Sequence, residues 1–102
     1  MSKLHTVNKS PFEKSSLESC LAHASDGAAV LLFEDGIYGG LRGTAAAETV
    51  ERALASVKVY VLGEDLKARG FGEDRLLNGI SVVDYGGFVD LAAQADAVQA
   101  WL

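Results

Sequence analysis

Leu4-His5-Thr6-Val7-Asn8-Lys9-Ser10-Pro11-Phe12-Glu13 is the stretch on which the fold turns, because it reads as a short strand, a tight turn and a helix start. Ser10 suits an N-cap, and Pro11 suits the first helical position, where its missing N–H costs nothing. Glu13 follows Ser10 by three residues and completes a capping box. Working outward, the spacing predicts a helix over residues 12–24. Leu17, Cys20, Leu21 and Ala24 fall at i, i+3, i+4 and i+7, the stripe of a buried helix face. Ser25-Asp26-Gly27 is turn chemistry, and residues 28–33 form the most apolar run of the chain. A strand, a helix and a near-continuous hydrophobic strand predict a βαβ unit in a parallel sheet covered on both faces.

Residues 34–43, Glu34-Asp35-Gly36-Ile37-Tyr38-Gly39-Gly40-Leu41-Arg42-Gly43, are glycine-rich and follow a strand's carboxyl end. They read as a loop or as one irregular helical turn. Thr44 is placed to cap a helix running to about Ser56. Val57-Lys58-Val59-Tyr60-Val61-Leu62 alternates and is rich in β-branched residues, which predicts a third strand. Residues 64–69 suit a short helix stopped by Gly70. Leu77 opens an extended lead-in to a fourth strand at Ile80-Ser81-Val82-Val83. A last helix is predicted from Gly87 to Trp101, with Phe88, Leu91, Ala92, Ala95, Val98 and Leu102 as its apolar stripe. The expected fold is α/β: a single domain over residues 1–102, built as a three-layer α/β/α sandwich with flavodoxin-like layering. Its small, mainly parallel sheet has four strands.

Length and composition narrow the function classes. A chain of 102 residues with 49% hydrophobic content suits one small domain with a real core. No apolar run approaches the ~20 residues of a membrane span, and the opening residues lack a signal-peptide core. One cysteine offers no disulfide framework, so the expectation is a reduced, cytoplasmic protein away from membranes. The net charge is −5, and the nine Lys and Arg residues are scattered. A nucleic-acid backbone is bound by clustered cations, so no direct nucleic-acid partner is expected.

Three features could carry chemistry. Cys20 lies mid-helix on the apolar stripe, where a free cysteine commonly serves as packing. As a candidate catalytic residue it would carry a persulfide, with His23, three residues on, favouring the thiolate. The glycine-rich segment follows a strand's carboxyl end, where ligands bind in open α/β sheets. Its spacing matches neither G-x-G-x-x-G nor the phosphate loop, and Glu34 and Asp35 would repel a phosphate, so a structural turn is favoured. The third feature is a set of acids and histidines: His5, His23, Glu34, Asp35, Glu64, Asp65 and Asp84. No H-x-x-x-H or C-x-x-C pairing marks a metal site, and no nucleophile sits on a strand-to-helix elbow. Neither metal nor cofactor is expected, and solvated strand ends and helix caps account for these residues.

Taken in order, the chain resembles the DsrH/TusB family along essentially its whole length. The resemblance is carried by residues 4–12 at the start and by Leu31-Leu32-Phe33-Glu34-Asp35-Gly36. It continues through residues 59–70, Asp84-Tyr85-Gly86-Gly87-Phe88-Val89 and the closing Trp101. The helix Ser16-Leu17-Glu18-Ser19-Cys20-Leu21 and the ending Val98-Gln99-Ala100-Trp101-Leu102 look closer to the DsrH branch. The resemblance implies a subunit that joins DsrE/TusD-like and DsrF/TusC-like paralogues in an α2β2γ2 hexamer. Such complexes pass persulfide sulfur to a DsrC/TusE-like acceptor. The DsrH branch serves dissimilatory sulfur oxidation, and the TusB branch serves 2-thiolation of the tRNA wobble uridine. In the DsrE/TusD paralogues the accepting cysteine lies at the end of the third strand, before a helix ending in a basic pair and Gly. Aligning Arg69-Gly70 on that ending puts Leu62 near the cysteine's position, and leucine forms no persulfide. The expected role is therefore auxiliary, with the aromatic residues Tyr38, Tyr85 and Trp101 as candidates for exposed partner contacts.

Overall fold

A computed structural model describes residues 3–102 as five strands with helices between them. Met1 and Ser2, which the reading of the opening residues included, lie outside the described residues. In chain order the elements are β1 (Lys3–Val7), α1 (Ser16–His23), β2 (Ala29–Leu32) and a 3-10 segment (Glu34–Gly40). They continue with α2 (Ala47–Ala53), β3 (Lys58–Leu62), α3 (Gly63–Ala68) and a 3-10 turn (Glu73–Arg75). The chain closes with β4 (Ser81–Val83), α4 (Tyr85–Gln94) and β5 (Ala97–Trp101). The sheet order is β4-β3-β2-β1-β5, and every pairing is parallel.

Crossovers in a parallel sheet are right-handed. Three successive moves in one direction, from β1 to β4, therefore stack α1, α2 and α3 on one face. The long return to β5 puts α4 on the other. The core follows this layering. Leu17 and Cys20 of α1, Val50 of α2 and Leu66 of α3 pack with Val30, Leu32, Val59 and Val61 of the sheet. On the opposite face Leu91 of α4 lies by Leu4, Ala29 and Tyr60, and the Phe88 ring sits 6.0 Å from Phe33. The α/β/α layering expected from the sequence is present. The two faces are unequal, however, because no residue of α4 is fully buried.

Local chemistry shifts several boundaries. Ser10 Oγ accepts the Phe12 N–H at 3.1 Å, and its carbonyl accepts the Glu13 and Lys14 amides. That capping chemistry forms a separate turn, and α1 begins only at Ser16, just before the buried Leu17. Tertiary burial rather than the cap decides where a short helix starts. Thr44 behaves similarly: its Oγ1 accepts the Ala46 N–H at 3.3 Å in a turn ahead of α2.

The predicted helix over residues 87–101 is corrected by the structure. Asp84 caps α4 by accepting the Gly87 N–H at 2.7 Å, and the helix ends at Gln94. Ala95 is extended, and residues 97–101 form a fifth strand beside β1, with Lys3 paired to Ala97 and Val7 to Trp101. Four strands therefore become five. Ala and Gln tolerate a helix, but the open edge of β1 offers a ladder of backbone bonds that outweighs weak local propensity.

Candidate functional site

β1, β2 and β3 end side by side at Val7, Leu32 and Leu62, and the residues just beyond them converge. Glu34 has φ +49°, the one positive φ outside glycine among the described residues. Such a backbone is costly unless its surroundings hold it. Here both neighbours do. The Glu34 N–H donates to Asp65 Oδ2 at 2.6 Å, and its carboxylate accepts from Asn8 Nδ2 at 3.0 Å. Arg69 closes the group from the turn after α3. Its Nε and Nη2 donate to Asp35 Oδ1 at 3.1 and 2.9 Å, and Nη1 donates to the Asp65 carbonyl at 3.3 Å. Asp35 and Asp65 lie against the Arg69 guanidinium and Glu34 is held beside Asp65, so the cluster carries three carboxylates to one cation.

The glycine-rich segment is packing, in line with the structural-turn reading. A methyl group on Gly36 would be driven into the Val7 carbonyl oxygen, and one on Gly39 into the Leu17 side chain. Gly40 faces Val61, Leu76 and Ile80. These glycines let the 3-10 segment lie against the sheet, and they present no open cradle to an anion. Leu62, the last residue of β3, is 1% exposed. The position that the family resemblance sets against the paralogues' cysteine thus holds a sealed aliphatic side chain.

Cys20 is wholly buried in the core beneath α1. Burial pushes its thiol up to about 12, against a smaller opposing pull from the Lys3 charge. At neutral pH the group is therefore the protonated thiol. His23 turns back along its own helix, with Nδ1 2.8 Å from the Ser19 carbonyl oxygen. Its ring packs 5.7 Å from that of Trp101.

His5 belongs to the same side of the molecule. It is 2% exposed, and its Nδ1 accepts the indole N–H of Trp101 at 3.0 Å. Burial, and then the Lys3 charge, hold its pKa below the ordinary 6.5. An accepting Nδ1 places the proton of the neutral ring on Nε2.

The seven acids and histidines singled out from the sequence thus fall into three places. Glu34, Asp35 and Asp65 meet at the strand ends. His5 and His23 flank Trp101. Glu64 and Asp84 stand by the start of α4, where Glu64 Oε2 lies 3.4 Å from the Tyr85 amide. Of the three aromatic candidates for surface contacts, Tyr85 is well exposed. Tyr38 packs edge-on to Phe71, and Trp101 is bonded inward. Asn8 and Arg69 were not among the site candidates drawn from the sequence. Their partners lie 26 and 34 residues away, so spacing carried no signal for them. Among the described residues, no three His, Cys, Asp or Glu side chains are grouped to hold a metal ion.

This fold defines a class of small α/β proteins with a five-stranded parallel sheet. The ychN protein of E. coli superposes with a TM-score of 0.79 over 98% of this chain and 99% of its own, at 20% identity. That likeness establishes the fold. The chain itself belongs to the DsrH family, whose model, described as "DsrH like protein", matches residues 9–98. Curated relatives agree. Protein TusB of Pectobacterium parmentieri is 35% identical over 96% of this chain and 99% of its own length. Protein TusB of Escherichia coli strain SMS-3-5 is 37% identical over the same shares.

Proposed function

We propose that this chain is an auxiliary subunit of a cytoplasmic sulfurtransferase complex that passes persulfide sulfur between proteins. Family membership supports the relay, and the observation that carries the auxiliary role is Leu62. Sulfur transfer between proteins needs an accessible thiolate. The end of β3 instead presents a buried leucine beside an ion-paired, negatively charged cluster. In this reading the working cysteine belongs to a DsrE/TusD-like paralogue. A DsrF/TusC-like subunit completes an α2β2γ2 hexamer, a DsrC/TusE-like protein takes the sulfur, and this chain acts as one domain that shapes the assembly. Cys20 is then a core residue. Work as a sulfur carrier would require α1 to lift from the sheet.

Between the two relays, the name TusB borne by the curated relatives favours 2-thiolation of the tRNA wobble uridine. The likeness of the Cys20 helix and the chain's ending to the DsrH branch favours the sulfur-oxidation relay as the second reading. The decisive experiment is native mass spectrometry of the complex purified from its own cells, with persulfide analysis of every subunit. The expected result is a hexamer of three small subunits with the added sulfur on a paralogue. A lone chain, or added sulfur that disappears in Cys20→Ser, overturns the auxiliary role. Loss of wobble-uridine thiolation in a deletion strain selects the first relay; unchanged thiolation with impaired sulfur oxidation selects the second.

A further inference from the structure

β5 is held to the fold chiefly at its end. Ala97, Val98 and Ala100 are exposed, and Trp101 is the residue of the strand that packs against the core. Among the described residues, one side-chain hydrogen bond ties the strand down, from the Trp101 indole N–H to Nδ1 of His5 at 3.0 Å. Just beyond it, Ser16 Oγ donates to the Leu102 carbonyl at 3.0 Å. Two histidines thus flank Trp101, and they differ in kind. His23 Nδ1 faces a carbonyl oxygen, so it donates, and it donates equally when the ring is charged. A charged His23 also gains from the indole beside it, because a cation is favourable against an aromatic ring. His5 Nδ1 accepts, and an imidazolium has no acceptor.

We propose that His5 is a proton-operated latch on β5: one proton taken up at Nδ1 frees Trp101, and β5 peels from β1 while β2 and β3 stay paired. The proton occupies the lone pair that holds the indole, so two N–H groups would face each other across 3.0 Å. His5 is 2% exposed, which leaves the new cation without water. Its surroundings do not neutralise it. Lys3 on its own strand is a like charge. α1 brings Cys20, a protonated thiol, and His23. β2 sets Val30 beside it, and β5 sets Gln99 and Trp101. The acids of these elements stand elsewhere. Glu18 lines the crevice between α1 and α2 with Thr49 and Val50, while Asp26 and Asp96 lie ahead of β2 and β5, at the amino end of the strands. Release of Trp101 returns water to the charged ring at the cost of the β5 ladder, and the core under α1, α2 and α3 is left whole.

The freed ring binds its proton at the ordinary value of 6.5 and the latched ring binds it more weakly. Release is therefore favoured by about ten-fold at most for each pH unit below 6.5, and the gain levels off below the latched value. Residue-resolved hydrogen exchange of the full chain, corrected for the intrinsic effect of pH, reads it directly. The Trp101 indole N–H and the β5 amides are expected to be less protected than the amides of β2 and β3, and to lose protection at that rate as pH falls from about 7 to 5. In His5→Gln the amide accepts the indole N–H without titrating, and the pH dependence is expected to vanish. In His23→Gln it is expected to persist. A second readout needs no variant: the NMR titration of the His5 ring is expected to share its midpoint with a shift of the Trp101 indole N–H resonance. Protection in β5 that equals that of β2 and β3, or that stays flat with pH, overturns the latch. So does a fall that survives in folded His5→Gln or disappears in His23→Gln, or a His5 ring that titrates while the indole resonance stands still.

Discussion

At the scale of single residues, burial sets the chemistry of the two most distinctive side chains. Cys20 is sealed beneath α1, and its thiol is raised to about 12. It is expected to react with an aromatic disulfide reagent only as fast as the fold opens, and at ordinary thiol rates in denaturant. Fast stoichiometric labelling of the native chain would contradict this. Cys20→Ser places a hydroxyl in the same apolar site and is expected to cost about 1–3 kcal/mol, read from urea denaturation. His5 makes a pH prediction whose sign follows from its lowered pKa. The unfolded chain takes up the proton first as pH falls below 6.5, so stability is full above that value. It declines as pH drops toward the lower folded pKa and then levels. His5→Gln keeps an acceptor for Trp101 without titrating there, and its stability curve is expected to be flatter between about pH 7 and 5. Cys20 was readable from the heptad-like stripe of α1. The His5–Trp101 bond was not, because it joins residues 96 positions apart in the chain.

At the scale of elements, runs of one period were legible and the junctions between them were not. β2 and β3 are buried strands whose apolar and β-branched runs have no competing reading. β5 was hidden because Val98 and Leu102 continue the helical stripe of Phe88, Leu91 and Ala95, and no glycine or proline interrupts it. Only the partner strand, supplied by the opposite end of the sequence, decides its conformation. The strand-end cluster was half legible. Its acids were visible beside their strands, whereas the Arg69 guanidinium that binds them arrives from another connection. The 3-10 segment gives the sharpest test at this scale. Gly36→Ala forces a methyl group toward the Val7 carbonyl oxygen, and a backbone atom cannot rotate away as a side chain can. A loss of about 3 kcal/mol or more is expected by chemical denaturation. Gly43→Ala serves as the control: open space surrounds it, and only its φ of +76° is strained.

At the scale of the whole molecule, the unequal faces predict unequal dynamics. The face under α1, α2 and α3 holds the continuous core, while α4 contributes no fully buried residue. Hydrogen exchange is expected to be slowest in β2 and β3. It is expected to be faster in α4, β4 and β5, because local opening is cheapest where few apolar contacts are broken. Protection in α4 equal to that in β2 would refute the asymmetry. The same thin cover over one face gives a small subunit a surface on which assembly can add stability.

β5 also has a consequence in time. β1 leaves the ribosome first among the strands, yet its neighbour on one side is β5, the last to be made. Until β5 has emerged, Leu4, Thr6 and Val7 have a bare edge beside them. The sheet therefore closes only once β5 is available, and closure pairs segments far apart in the sequence, Lys3 with Ala97 and Val7 with Trp101, which is slow. A nascent chain stalled after α4 holds every helix and four strands but lacks the strand that seals β1. Such a chain is the form in which this protein is most exposed to chaperones and proteases.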